Sequence, residues 1–223
     1  MQRKSKKRIK MQINSNNVIN LNGISDEQFS HRQISFYVDT NIWYWLTYPN
    51  SNSEEFAPDY ATLLYRLNNL TNIKLLYSHL TFAELTAIIE NDLYHNYQDR
   101  TGIRLYNKKT YRSIQRERDS VVDNISSSIR QLTQIAEPTD DSFVEILNYI
   151  KPDDFIATLR NTTLDGTDIL MANFIKQNGV KNVITSDRDY LTISGLNIYT
   201  YDDKTIEMAE AQGINTNFDA IWQ

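Results

Sequence analysis

Asp39, Glu84, Asp168 and Asp187 occupy positions where a carboxylate needs a reason. Asp39 follows the apolar run "ISFYV" and precedes "TNIWYWL", and Asp187 follows "NVIT" in "TSDRDY". Glu84 falls within "SHLTFAELTAIIENDL". At ~100° per residue it lies within about 60° of Leu80, Ala87 and Ile88, inside an apolar stripe. Asp168 shares a helical row with Ala172 and Ile175 in "TDILMANFIKQ". Each acid has an ordinary structural account. Asp39 can cap a helix, Asp187 can hold a turn, and Glu84 and Asp168 can favour the positive ends of their helices. Taken together, two acids end strands and two sit in first helical turns on inward rows. A parallel sheet brings those positions to one edge. Four carboxylates at one place raise each other's pKa, and a divalent cation relieves the repulsion. Hard cations with oxygen donors, Mg²⁺ or Mn²⁺, activate water against phosphodiesters.

The elements that would position these acids are readable from periodicity. Residues 34–38 form a strand, followed by a short helix from Asn41 that Pro49 ends. Apolar residues at helical spacing run from Tyr60 to Leu70. "IKLLYS" is a buried strand, with a helix from His79 to about Tyr97. Gln98 to Arg160 lacks strand signals and reads as a helical insertion. Its longest helix is expected from Lys108 to Ala136, roughly 43 Å at ~1.5 Å per residue, with another from Asp140 to Ile150. Then come a helix over 167–177 closed by Asn178-Gly179, the strands "KNVITS" and "LNIYTY", and a helix over 204–212. This order predicts an α/β fold, a parallel sheet flanked by helices with a mostly helical insertion. Residues 1–33 read as a basic, polar tail with little fixed structure, 34–212 as the folded domain, and 213–223 as a second tail.

Composition narrows the chemistry. The chain has 223 residues, 40% hydrophobic and 23% charged, enough for one substantial core. It has no Cys, which excludes disulfides, thiolate metal sites and Cys nucleophiles. Its three histidines, His31, His79 and His95, are scattered, against a His-built zinc site. No apolar run approaches membrane-spanning length and the basic N-terminus lacks a secretory signal's apolar core, so a cytoplasmic location is expected. Six of the 23 basic residues lie in the first ten positions, leaving 17 against 28 acids, a formal −11. An acidic body with a basic arm is no generic nucleic-acid binder. The arm is either a solvated extension or a phosphate contact.

"VDTN" after a strand, "AEL" on a helix, "TDILMANFI" and "VITSDRDY" resemble the PIN domain, the nuclease fold of many bacterial toxin–antitoxin ribonucleases. The resemblance covers about 34–94 and 165–201. It implies metal-dependent RNA cleavage with Asp39, Glu84, Asp168 and Asp187 as ligands to Mg²⁺ or Mn²⁺. Asn41 and Thr185 become supporting polar residues, and Asp165 and Asp189 nearby acids that could substitute. "LDGTD" offers two candidates for one role, of which Asp168 fits the inward row. The implied partners are RNA, an inhibitor (antitoxin) protein and a second copy of the chain. The insertion lies outside the resemblance. Its Arg100, Arg104, Lys108, Lys109 and Arg112, interleaved with tyrosines, form either an RNA contact or a helical cap with a solvated basic face. Two other functions compete: a PIN-like module that binds RNA or protein without cleaving, and a phosphatase with Asp39 as nucleophile. The second is disfavoured because Asn41 stands where a dehalogenase-type phosphatase needs an Asp.

Overall fold

The computed structural model describes residues 11–51, 55–105, 107–139 and 150–222. Six strands form one sheet: β1 (Asn17–Asn20), β2 (Ile34–Val38), β3 (Ile73–Tyr77), β4 (Glu137–Pro138), β5 (Asn182–Ile184) and β6 (Asn197–Thr200). Their order is β1-β6-β5-β2-β3-β4, and every described pairing is parallel. Successive side chains alternate between two cores. Phe36, Val38, Ile184 and Tyr199 face one apolar cluster, while Tyr37, Val183 and Ile198 face the other. Both faces of the central strands are therefore buried, which explains why these strands read as continuous apolar runs.

On the first face pack α1 (Asp26–Ser30), α2 (Thr40–Thr47) and α3 (Ala57–Asn68), through Phe29, Ile42, Trp43, Leu63 and Leu67. On the second pack α8 (Gly166–Gln177) and α9 (Asp203–Glu210), through Ile169, Ile175 and Ile206. The long helix α4 (His79–Thr101) follows β3, capped by Ser78, and ends at Gly102, whose φ of 70° suits a residue without Cβ. α5 (Lys108–Arg112) and α6 (Gln115–Ile135) follow, and α7 (Pro152–Asn161) precedes α8.

Several expectations change. Within the supposed N-terminal tail, β1 pairs with β6 and α1 buries Phe29. The supposed C-terminal tail also packs: Asn215 bridges to Asn17, and Phe218 is buried edge-on against Phe29. These stretches are held by amides and two aromatic rings rather than by a periodic apolar pattern. The single helix expected from Lys108 to Ala136 is two helices, broken at Ser113 and Ile114. The break folds α5 back, burying Tyr111 against Tyr97 and Val121 in a small separate core. The insertion also contains a strand, β4, only two residues long at the sheet edge, where a Pro is tolerated. The helix expected over 140–150 lies, but for Ile150, outside the described residues.

Candidate active site

Val38 of β2 lies opposite Ile184 of β5. Between these neighbours the strand order reverses: β3 and β4 lie to one side, β6 and β1 to the other. A reversal of this kind opens a crevice at the carboxyl edge of a parallel sheet. Asp39 and Thr185 are the first residues beyond the two strands. The Asp39 amide donates to the Ile184 carbonyl at 3.0 Å. The Thr185 hydroxyl donates to Asp39 Oδ2 at 2.8 Å, and the Thr40 amide donates to Asp39 Oδ1 at 2.8 Å. Asp39 is thus the N-cap of α2 and also a buried acid, 6% exposed, at the crevice. Each carboxylate oxygen accepts one of these bonds and keeps a further lone pair.

Two threonines knit the acids together. Thr40 donates its hydroxyl to Glu84 on α4, linking the first acid to the second. Thr185 accepts from the Asp187 amide at 2.9 Å while donating to Asp39. Tyr60 steadies this edge from α3, its hydroxyl donating to the Thr185 carbonyl at 3.0 Å. Asp187 in turn accepts from the Asp189 amide at 2.8 Å, starting a 3₁₀ turn over Arg188–Thr192. Asp189 accepts from the Thr163 hydroxyl at 2.6 Å.

The two acids of "LDGTD" have different surroundings. Asp165 caps α8, accepting from the Thr167 and Asp168 amides at 2.8 and 2.9 Å, and is itself exposed. Asp168 is half-buried and completes the capping box by accepting from the Asp165 amide at 3.2 Å. One turn beyond, the Met171 sulfur accepts from Tyr37 and Ser78, which locks α8 onto β2 and the start of α4.

Asp168, Asp187 and Asp189 each present a carboxylate oxygen within 4.8 Å of the others, a spacing that could hold a cation. The wider set is coupled by charge. Burial pushes the Asp39 carboxyl up to about 7, reinforced by Asp187 and Glu84 and opposed by the Thr185 bond. Burial pushes Asp168 up to about 6, with Asp165, Asp187 and Asp189 adding to it. Glu84 is raised by burial and by Asp168 and Asp165, and Asp187 by burial and by Asp189 and Asp165. The nearest arginine in the chain does not relieve this charge. Arg188 turns away to Asp202, with nitrogen–oxygen distances of 2.6 and 2.8 Å. Oxygen-only donors with unrelieved negative charge suit a hard divalent cation.

Asn41, next after Thr40, lines a groove of about 690 Å³ with Tyr44, Trp45, Phe56, Ser186 and Lys204. Sequence reasoning gives Thr40 and these rings no part in the site. A hydroxyl directly after Asp39 was the available signal for Thr40. The basic residues of the insertion stand elsewhere. Arg100 follows Glu84 by sixteen positions on α4, roughly 24 Å along the axis at ~1.5 Å per residue. Arg112 is paired with the buried Glu90, Arg100 with Glu117, and Arg104 with Gln98. Of the interleaved tyrosines, Tyr97 and Tyr111 are buried and Tyr94 packs against them, while Tyr106 lies outside the described residues. Lys108 and Lys109 have no ion pair among the described residues.

No protein-family model matches this sequence, and no curated protein matches it. Among solved structures, the chain superposes over 76% of its length on the whole of a chain in the crystal structure of VapBC2 from Rickettsia felis bound to a DNA fragment from their promoter, with a TM-score of 0.46 and 12% identity. It superposes over 74% of its length on 96% of a chain in the crystal structure of FitAcB from Neisseria gonorrhoeae, with a TM-score of 0.42 and 17% identity. Among the described residues no helix is long and apolar enough to cross a membrane.

Proposed function

We propose that this chain is a divalent-metal-dependent ribonuclease whose site is the acidic crevice at the ends of β2 and β5. The observation that carries the reading is the convergence of Asp168, Asp187 and Asp189 oxygens within 4.8 Å, with buried Asp39 linked to Asp187 through Thr185 and the adjacent Arg188 turned away to Asp202. Asp39, Glu84, Asp168 and Asp187 would hold Mg²⁺ or Mn²⁺, with Asp189 as a further donor. Such an ion, when bound, supplies an activated water and charge stabilisation for phosphodiester hydrolysis.

The chain's own residues do the positioning. Thr185 and the Thr40 amide orient the Asp39 carboxylate. Thr40 fixes Glu84 against it, and the α8 capping box fixes Asp168. No protein nucleophile is required. An inhibitor protein that masks the crevice, as in a toxin–antitoxin pair, belongs to the same proposal, as does a second copy of the chain. Lys108 and Lys109 would meet only a distant part of a long RNA.

Incubating the protein with total RNA in Mn²⁺ or in EDTA, and mapping the ends, tests the activity. Cleavage at defined positions in Mn²⁺ alone is expected. Intact RNA under both conditions would sink the reading.

A further inference from the structure

The groove beside the acids has features that hydrolysis of a phosphodiester does not itself require. Its volume, about 690 Å³, lies within the roughly 300–1,000 Å³ of ordinary ligand sites. Its floor comes from both sides of the crevice: Asn41 lies two residues past Asp39, and Ser186 immediately precedes Asp187. One wall is aromatic. Tyr44, Trp45 and Phe56 are each partly exposed to it. These rings are braced from behind, Tyr44 stacking on Tyr48 at 5.3 Å and Trp45 leaning on Tyr60 at 5.8 Å. A braced ring loses little freedom when a ligand stacks on it.

The polar groups point the same way. Among the described residues, neither the Asn41 carboxamide nor the Ser186 hydroxyl has a hydrogen-bond partner, although both are half-buried. Arg188 is committed to Asp202, so Lys204 is the cation left to the groove. Exposed Glu55 and Asp203 outnumber it by one charge. A groove without a strong charge of its own suits the uncharged part of a polyanion. An unpaired nucleobase has two π-faces for the rings and a polar edge for an amide and a hydroxyl.

We infer that this groove is a base-stacking subsite, in which Trp45 and Phe56 take an unpaired nucleobase whose edge meets Asn41 and Ser186 and whose phosphate lies toward the acids. The inference rests on the ribonuclease reading for its substrate class and makes that substrate single-stranded. A duplex cannot offer a base face without unpairing.

The test measures binding by the full chain in EDTA, where cleavage is blocked, using a fluorescent single-stranded RNA decamer and the matching duplex. Trp45→Ala and Phe56→Ala should each weaken single-strand binding about tenfold, within the range of stacking contacts. Trp45→Phe, which keeps a flat ring, should stay within about threefold of the parent. Duplex binding should be weaker than single-strand binding and indifferent to all three changes. Indole emission should be quenched by the single strand in the parent and less so in Trp45→Phe. If Trp45→Ala does not fold, Phe56→Ala and the emission measurement decide. Unchanged single-strand affinity in Phe56→Ala and Trp45→Ala overturns the subsite. So does equal sensitivity of the duplex. Cleavage in Mn²⁺ is scored separately. A parent that binds through its rings but never cleaves retains the subsite and loses the nuclease. A parent that cleaves with ring-independent binding does the reverse.

Discussion

The two edges of the sheet are built on opposite principles. At the amino-terminal edge, the first residues of three adjacent strands are asparagines in register, Asn17 opposite Asn197 opposite Asn182. Their amides form a chain. Asn215 donates to Asn17 at 3.0 Å, Asn17 to Asn197 at 2.7 Å, and Asn197 to Asn182 at 3.0 Å. Asn182 ends the row by donating to the Ser35 carbonyl at 3.4 Å. The row carries no charge, and its donors and acceptors are matched. The carboxyl edge instead gathers acids that repel, Asp39 after β2, Asp187 shortly after β5 and Asp168 in the first turn of α8, with Asp39 and Asp168 pushed up to about 7 and 6 chiefly by burial. Stability alone would favour amides at both ends. On the proposed reading, the carboxyl edge is the one kept for chemistry.

The sharpest way to break this contrast is to give the acidic edge an amide. Asp39→Asn should reduce cleavage by at least a hundredfold while the melting temperature changes little, because removing a repelled carboxylate offsets the loss of one of the two acceptors that serve the Thr185 hydroxyl and the Thr40 amide. Parent-like activity in the purified variant would refute the assignment. The same logic has a pH signature. Asp39 titrates near 7 in the fold and near ~3.9 when unfolded. Between those values the folded state holds more protons, so metal-free stability falls as pH rises from about 4 to 7 and levels off above. Urea titrations across that window should show the decline, and Asp39→Asn should lessen it, leaving the part that Asp168, pushed up to about 6, contributes.

Metal should reverse the penalty. Millimolar Mg²⁺ or Mn²⁺ at pH 7.5 is expected to raise the melting temperature by several degrees through binding to the folded state. A Glu84→Gln/Asp168→Asn double variant should show little of that shift. An equal shift in both proteins would place the ion elsewhere.

The neutral edge should behave in the opposite way. Asn197→Ala removes the middle of the amide row and leaves Asn17 and Asn182 short of partners. It should cost about 1–3 kcal/mol of stability in urea unfolding and leave cleavage per folded molecule unchanged. The smallest effect belongs to the same end of the sheet. Lys74 and Glu137 form an ion pair with both side chains about 60% exposed, and Glu137→Gln should shift stability by less than about 0.5 kcal/mol.

These two edges also differ in how plainly the sequence announces them. β2, β3, β5 and β6 are apolar runs with both faces buried, and an acid interrupting such a run is conspicuous, which is how Asp39 and Asp187 can be found. The helical rows likewise point to Glu84 and Asp168. By contrast, β1 is "NVIN", with two apolar residues between asparagines. Its stability comes from partners about 180 residues away, which no local window contains. β4 is two residues with a Pro. The break before α6 depends on where Tyr111 finds its core. Asp189, read in the sequence only as an acid that could substitute, joins Asp168 and Asp187 through the geometry of a 3₁₀ turn, and the aromatic wall joins the crevice through the packing of α2 against α3. Periodicity reports what a residue's own element needs. It is silent on what another element brings to it.

The pairing of β1 with β6 also sets an order of events on the ribosome. Residues 17–20 leave the exit tunnel about 180 residues ahead of their partners at 197–200. At roughly 5–20 residues per second the first strand waits on the order of ten to forty seconds for its neighbour. Asp39 waits nearly as long for Asp187. The nascent chain therefore keeps its acids apart while the residues between them are made, and the crevice can assemble only after the last strand has been translated and has left the tunnel.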